Sequence, residues 1–211
     1  MRIAILGHGR VGGALATHLS RLGEQVVIGL DPQRRDTSGP LRERVPGLAV
    51  EPALTAVGGA DLVVLAVPFR AVGEVLAPLR DALVGRTLVD ATNPVGPGFT
   101  HALGSERSAT DVIASLAPGA QVVKAFSIYG AENFAEPPAR AGDLRPAMLI
   151  AGDDDAAKHS VAGLIDRMGW RPVDSGPAAQ ALHLEHLTLL WLRMVRGGDR
   201  PATLTWAVLG D

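Results

Sequence analysis

The amino-acid sequence predicts a doubly wound α/β fold, in which helices cover both faces of a parallel sheet. Short runs rich in Val, Ile and Leu alternate along the 211 residues with stretches whose apolar side chains recur at helical spacing. One run, DLVVLAV at 61–67, is apolar almost throughout, which is typical of a strand covered on both faces. The first run leads into the glycine-rich segment GHGRVGG, which begins the first predicted helix.

The first part of the chain is predicted to hold six strands with helices between them. The first helix, 10–22, has its apolar side chains along one face, and Gly23 is placed to end it. The proline-rich segment 31–46 is predicted to be a loop with one helical turn, and 93–108 a loop rich in Gly and Pro. The predicted strands are 2–6, 25–29, 48–50, 61–67, 87–91 and 121–125, and the other helices are 72–83, despite Pro78, and 111–116.

The second part is predicted to be less regular. Strands are expected at 147–151 and 171–174, a loop at 132–145, and helices at 153–168 and 178–196. The first of these helices begins with acidic residues 153–155, which suit the positive end of a helix dipole. Residues 201–209 have no clear pattern.

Composition narrows the function classes. Hydrophobic residues make up 47% of the chain, which favours a globular protein, and the net charge of −2 comes without a basic stripe, so nucleic acid is not an expected partner. The absence of cysteine excludes disulfides, cysteine-ligated zinc and thiol catalysis. No apolar run approaches the ~20 residues of a membrane span, and the first apolar run is too short for a signal peptide. We therefore expect no membrane association and a cytoplasmic location.

The segment ILGHGRVGG indicates a phosphate-binding turn. Gly7, Gly9 and Gly12 fit the G-x-G-x-x-G spacing, which is weak alone but here follows a predicted strand and begins a predicted helix. Gly7 would allow the tight turn, Gly9 the approach of a pyrophosphate, and Gly12 close packing of helix on strand. An ordinary glycine-rich turn is the alternative. We predict a Rossmann-type dinucleotide-binding domain at 1–130 and a smaller C-terminal α/β extension at 131–211 packed on it.

The second strand leaves the choice of nucleotide open. Asp31 follows Gly12 by 19 residues, where an acidic residue binds the ribose hydroxyls of NAD. Arg34 and Arg35 follow at once, as expected for an NADP 2′-phosphate, although they also fit a solvated loop. His8 and Arg10, inside the glycine-rich segment, are candidates for phosphate contacts.

Several longer motifs resemble one family. They are ILGHGRVGGALATHL, DLVVLAVPF, LVDATNPVG, VVKAFSIYGAENF, MLIAGDDDAAKHSVAGLIDRMGWRPVDSGP and LHLEHLTLLWLRM, and together they run along nearly the whole chain. The sequence resembles the NADP oxidoreductases that use the deazaflavin coenzyme F-420, whose N-terminal fold is shared with pyrroline-5-carboxylate reductases.

The resemblance implies a cofactor site and an acceptor site. The implied cofactor is NADP(H) rather than NAD(H), and the second redox partner is coenzyme F-420 or another flavin. Leu30 and Asp31 stand where family members have Ser-Arg or Arg-Asp, so Arg34 or Arg35 would bind the 2′-phosphate. The other implied cofactor-binding residues are Gly7, His8, Gly9, Arg10, Val11, Gly12, Ala66, Val67, Pro68, Asn93, Pro94 and Ala125. Ser127, Ile128 and Tyr129 are the implied substrate residues, with Ser127-Ile128 where the family has Asn-Thr.

The predicted chemistry is hydride transfer between two flat rings, for which the protein supplies orientation rather than a proton. No catalytic acid or base is assigned, because no Ser/His/Asp set, carboxylate pair or HExxH motif is visible. An imine or small-carbonyl reductase and a non-catalytic NAD(P)-binding sensor are the alternatives.

The remaining candidate residues have simpler explanations. His183 and His186 have metal-binding spacing but lack a third ligand, so no metal is predicted. Lys124 is expected either to contact a ribose or phosphate or to meet solvent at its strand end. The three tryptophans are expected in the core or at an interface, and the wide apolar face of the last helix predicts a homodimer.

Overall fold

A computed structural model describes residues 1–210 of the chain and arranges them around one eight-stranded sheet. The strand order is β3-β2-β1-β4-β5-β6-β7-β8. Neighbouring strands are parallel except for β6 and β7, which are antiparallel. The strands are β1 (Arg2–Leu6), β2 (Gln25–Leu30), β3 (Ala49–Pro52), β4 (Leu62–Leu65), β5 (Thr87–Asp90), β6 (Gln121–Lys124), β7 (Ala147–Gly152) and β8 (Arg171–Asp174). All eight predicted strands therefore form, and the predicted doubly wound fold is confirmed.

One predicted helix is shorter than expected, and one short helix was not predicted. The predicted helix 72–83 ends as an α-helix at Leu76 and continues as two short 3-10 turns, because Pro78 lacks the N–H that a continuous helix needs. Ala53–Gly58 forms a short helix directly after Pro52 that the sequence pattern did not indicate. The α-helices are α1 (Arg10–Arg21), α2 (Gly39–Arg44), α3 (Ala53–Gly58), α4 (Val72–Leu76), α5 (Ala109–Leu116), α6 (Asp155–Arg167) and α7 (Ala181–Val195).

Apolar side chains fill both faces of the sheet. Successive residues of β1 point to opposite faces, so Ile3 and Ile5 lie in one cluster with Leu15 and Leu19 of α1. Their neighbours in β1 lie in a second cluster with Leu76 of α4. Both faces of β1 and β4 are thus covered, which explains why residues 62–67 of DLVVLAV are all apolar.

The C-terminal part extends the same sheet. Strand β7 joins the edge of β6, α6 packs on β7 and β8, and α7 packs on α5 and β7. The chain after α7 returns to the sheet, where the backbone N–H of Ala147 donates to the carbonyl of Trp206 at 2.8 Å. Strands from both parts of the chain belong to this one sheet. The predicted division into two domains at residue 130 stays a prediction.

Hydropathy of the helices bears on membrane association. Within residues 1–210, no helix combines the length and apolar character needed to cross a membrane.

Candidate cofactor site

The glycine turn, residues 7–12, connects β1 to α1. Gly7 has a φ of +103°, and a Cβ there would lie 2.5 Å from the carbonyl oxygen of Ala66. A Cβ on Gly12 would lie 1.8 Å from the carbonyl oxygen of Gly7. The protein's own packing therefore requires glycine at both positions.

Gly9 differs from the other two glycines because its surroundings are empty. A Cβ on Gly9 would meet no atom within 4 Å. Gly9 is the N-cap of α1 and provides no side-chain hydrogen bond to the first turn of that helix, so the N–H groups there remain available to an anion. The open space beside Gly9 fits a pyrophosphate that approaches the backbone closely.

A pocket of about 770 Å³ adjoins the glycine turn at the carboxyl ends of β1 and β2. This volume is within the range of cofactor and ligand pockets, roughly 300–1,000 Å³. Apolar walls come from side chains such as Leu30, Leu54 and Val67. Its polar lining includes His8, Asp31, Arg34, Arg35 and Thr37. The pocket lies where open α/β sheets bind nucleotides, beyond the carboxyl ends of their strands.

The acidic residue that suggests NAD and the arginines that suggest NADP all line this pocket. Arg34 donates a hydrogen bond to Glu74, and its Nε lies 3.6 Å from Oδ2 of Asp31. The hydrogen bond and charge of Glu74, with the charge of Asp31, raise the pKa of the Arg34 guanidinium above its ordinary value. Arg35 also lines the pocket, and it forms no ion pair within residues 1–210. Of the two arginines that line the pocket, Arg35 is therefore the one whose guanidinium has no carboxylate partner.

Polar side chains of the glycine turn have partners from distant segments. His8 Nε2 lies 2.8 Å from Oγ1 of Thr37. Arg10, with an exposed side chain, pairs with Glu132, which also accepts from Arg196 of the turn after α7. Burial opposes ionisation of Glu132, but the hydrogen bond from Arg196 and the charges of both arginines hold the pKa of this carboxyl below its ordinary value.

The carboxyl ends of β4, β5 and β6 bring the other predicted cofactor residues to the same edge of the sheet. Ala66, Val67 and Pro68 follow β4, Asn93 and Pro94 follow β5, and Ala125 follows β6. The side-chain amide of Asn93 donates to the carbonyl of Ser127 at 2.8 Å. Oδ1 of Asn93 and Oγ of Ser127 are both buried, and neither has a hydrogen-bond partner in the described part of the chain. Two adjacent segments thus present unsatisfied polar atoms.

The segment after β6 turns sharply before Ser127. Phe126 is buried and has a φ of +55°, a conformation that costs free energy for a residue with a Cβ. Ser127 lies beside Asn93, whereas Ile128 is fully buried in the core. The Tyr129 hydroxyl donates to the carbonyl of Ala147 at 2.8 Å, and burial raises its pKa above the ordinary value. Contact of these three residues with an acceptor ring stays a prediction.

Both predicted roles of Lys124 were wrong. Its side chain has no solvent exposure, and its ammonium donates to Oδ2 of Asp90 at 3.0 Å, to Oε1 of Glu185 at 2.8 Å and to the carbonyl of Thr92 at 2.7 Å. Burial of a charge requires such partners. Asp90 and Lys124 are register partners at the ends of neighbouring parallel strands, so opposite charges at matching strand ends could have indicated the pair. Nothing in the local sequence indicates Glu185.

One of the two histidines of α7 has a partner within the protein. No group of three or more possible metal ligands lies together among residues 1–210. Nε2 of His186 lies 2.9 Å from Oγ of Ser105. The tryptophan prediction is confirmed for the core, since Trp170 and Trp191 are almost fully buried.

Comparison with known proteins identifies the family. The family model described as "NADP oxidoreductase coenzyme F420-dependent" matches residues 2–94. The crystal structure of a putative F420-dependent NADP-reductase from an Arthrobacter species is 30% identical, with a TM-score of 0.82, and the match covers 92% of this chain and 93% of that one. The chain belongs to this family of NAD(P)-dependent oxidoreductases. The matched residues 2–94 contain the glycine turn, the pocket lining and Asn93.

Other known proteins are similar to this chain over different shares of their own length. The F420-dependent NADP reductase of Methanothermobacter thermautotrophicus is 29% identical over 92% of this chain and 89% of that enzyme. The metalloreductase STEAP3 of Rattus norvegicus is 35% identical over 89% of this chain, but the chain spans only 36% of its length. An imine reductase of Streptomyces aurantiacus, 20% identical with a TM-score of 0.64, shares the fold.

Proposed function

We propose that the protein transfers a hydride between a nicotinamide dinucleotide and coenzyme F-420 or a similar flavin-like acceptor. The observation that carries the proposal is the edge of the sheet that joins an open glycine turn, a pocket of about 770 Å³ and the unsatisfied polar atoms of Asn93 and Ser127. Two relatives that align along most of their length are named F420-dependent NADP reductases, which supports the choice of acceptor.

Each part of this edge has a distinct role toward the dinucleotide. The glycine turn, with Val11 at the start of α1 and with His8 and Arg10, binds the pyrophosphate. Leu30 and Asp31 hold the adenosine ribose, and Arg34 and Arg35 favour NADP(H) over NAD(H). The remaining positions, Ala66, Val67, Pro68, Pro94 and Ala125, shape the crevice that receives the nicotinamide ring and its ribose.

Asn93 and Ser127 orient the nicotinamide. Its carboxamide carries one hydrogen-bond donor group and one acceptor, which complement Oδ1 of Asn93 and the hydroxyl of Ser127. A ring held from one edge keeps one face against the protein and the other toward the acceptor. The bound nicotinamide supplies a hydride donor or acceptor carbon, and the protein contributes alignment and exclusion of water.

The assembly and location remain part of the proposal. We infer a homodimer in the cytoplasm that acts on a small-molecule redox partner. Some apolar side chains of α7, including Leu184 and Trp191, are buried in this chain, whereas others are only partly buried and Leu190 is half-exposed. Sedimentation of the purified protein would decide whether α7 also has a partner copy.

The proposed reaction is tested by mixing the purified protein anaerobically with oxidised coenzyme F-420 and either NADPH or NADH. We expect rapid bleaching of the deazaflavin absorbance, faster with NADPH. Binding of a nucleotide without bleaching would contradict the acceptor assignment. Turnover of a panel of imines and small carbonyls would then indicate a reductase of those substrates, and no turnover would indicate a sensor.

A further inference from the structure

A buried charged network lies beneath the nicotinamide end of the proposed site. It consists of Asp90 at the end of β5, Lys124 at the end of β6 and Glu185 in α7, each no more than 1% exposed. Replacing such ion pairs by apolar groups is often neutral or stabilising. Stability alone therefore does not explain why three charges lie in this core.

Every group of the network is fully bonded. The three hydrogens of the Lys124 ammonium reach Asp90, Glu185 and the Thr92 carbonyl. Asp90 also accepts from the backbone and hydroxyl of Thr92 at 2.8 and 2.7 Å and from the Thr110 hydroxyl at 2.8 Å. A network with this many short hydrogen bonds keeps its side chains in one arrangement.

Glu185 connects the network to two further segments. Its carboxylate accepts from the backbone N–H of Ala109, the first residue of α5, at 2.9 Å and lies 2.8 Å from Nε2 of His101. Nδ1 of His101 accepts from the backbone N–H groups of Leu103 and Ser105, so Nε2 carries the hydrogen that Glu185 receives. The carboxylate thus ties α7 to the loop that follows Asn93.

Two backbone carbonyls, those of Thr92 and Ser127, lie next to the proposed nicotinamide subsite. The network and α7 hold them in place through hydrogen bonds. Lys124 binds the carbonyl of Thr92, the residue before Asn93. The hydroxyl of Thr188 in α7 lies 2.9 Å from the carbonyl oxygen of Ser127 and 3.0 Å from that of Leu184, so its one hydrogen is shared between two acceptors. The Asn93 amide also donates to the Ser127 carbonyl. With this arrangement, Oδ1 of Asn93 is left without a partner.

We propose that Lys124, held by Asp90 and Glu185, is a positioning residue that fixes the Thr92–Asn93 turn for the nicotinamide, with Thr188 securing the opposite side. This inference rests on the proposed function, because it assumes that the nicotinamide lies at Asn93. Helix α7 then acts on the nicotinamide half of the cofactor, while the residues after β2 bind the adenosine half independently.

The test separates the two halves of the cofactor. The neutral triple variant Asp90→Asn, Lys124→Met, Glu185→Gln removes the charges without leaving one unpaired. We expect its affinity for 2′,5′-ADP, which lacks the nicotinamide, to match that of the wild type. NADPH affinity should fall about tenfold, the loss of one well-placed hydrogen bond, and kcat should fall roughly 100-fold, as for a reactant misplaced by about 1 Å.

A matched control uses the only other lysine. Lys158 also contacts two carboxylates, at 2.9 Å to Asp174 and 3.1 Å to Asp155, on the far side of β7. Lys158→Met should change neither the ratio of NADPH to 2′,5′-ADP affinity nor kcat. If NADH is the preferred nucleotide, NADH and ADP replace NADPH and 2′,5′-ADP.

A second variant covers the case in which the triple variant does not fold. Thr188→Val preserves shape and charge but removes the hydrogen bond to Ser127, and it should lower the NADPH affinity and kcat while sparing 2′,5′-ADP. An unchanged ratio and an unchanged kcat in the folded variant would overturn the inference. Equal wild-type affinities for NADPH and 2′,5′-ADP would overturn it too. Wild-type protein that binds neither would instead refute the proposed cofactor site.

Discussion

At the residue scale, Gly9 offers the sharpest test of where the pyrophosphate binds. A Gly9→Val side chain would enter the empty space beside the α1 N-terminus, where no protein atom lies within 4 Å of a Cβ. We expect loss of NADPH and NADH binding, measured by nicotinamide fluorescence, with the fold retained. Gly58→Val is the control, because Gly58 also has open space and does not line the pocket. Wild-type affinity in the Gly9 variant would place the cofactor elsewhere.

Nucleotide preference depends at this scale on Arg35. Arg34 is already paired with Glu74 and Asp31, whereas Arg35 has no ion pair in residues 1–210. We expect Arg35→Ser to weaken NADPH binding about tenfold, the loss of one charge-assisted contact, and to leave NADH binding unchanged. Arg107→Ser, at another exposed arginine, should change neither. Equal weakening of both nucleotides by Arg35→Ser would show that Arg35 does not read the 2′-phosphate.

His18 makes the stability of the protein depend on pH. Burial lowers the pKa of His18 below its ordinary value, and a hydrogen bond to the carbonyl of Phe134 and the charge of Glu136 only partly oppose this. Below the ordinary pKa of about 6.5 the unfolded chain binds a proton that the folded protein resists, so the free energy of unfolding falls on acidification.

The expected measurement is urea denaturation between about pH 7.5 and 5.5, a window that spans the ordinary histidine pKa. His18→Gln should lose less stability across this window than the wild type, and the exposed His159→Gln should behave as the wild type does. An identical pH dependence of stability in all three proteins would show that His18 is not the group responsible.

At the element scale, helix ends depend on single side chains. Asp154 is the N-cap of α6, and its carboxylate accepts from the backbone N–H of Ala157 at 2.7 Å. We expect Asp154→Ala to lower the free energy of unfolding by about 1 kcal/mol. The neighbouring Asp155 is exposed and has only a surface contact with Lys158, so Asp155→Ala should cost much less. Equal losses in urea denaturation would refute the cap assignment.

Local patterns predict the strands better than the short helices. Most strands are marked by an apolar run, whereas α3 has only six residues and little periodicity. The helix that begins at Val72 shows the opposite error, because its periodicity continues past the residue where Pro78 interrupts the hydrogen bonds. Helices of this length derive most of their stability from tertiary packing.

At the scale of the whole molecule, Tyr129 joins the two parts of the chain. Its hydroxyl donates to the carbonyl of Ala147 and accepts from the backbone N–H of Trp206 at 2.9 Å. Tyr129→Phe would leave buried backbone groups unpaired, and we expect a loss of about 1–3 kcal/mol in urea denaturation. A loss below about 0.5 kcal/mol, the range of surface substitutions, would show that this contact does not hold the C-terminal segment.

Local features of the sequence are enough to predict the strands along the chain, the glycine turn and the edge of the sheet at which the proposed cofactor site lies. These features depend on neighbouring residues, since glycine spacing, apolar runs and strand ends are local properties. Asn93 could be assigned to this edge because it follows a predicted strand. The environment of Lys124, in contrast, depends on how distant segments pack together. Its burial depends on Glu185, 61 residues away in sequence, and a charge is tolerated in a core only where distant segments supply its partners.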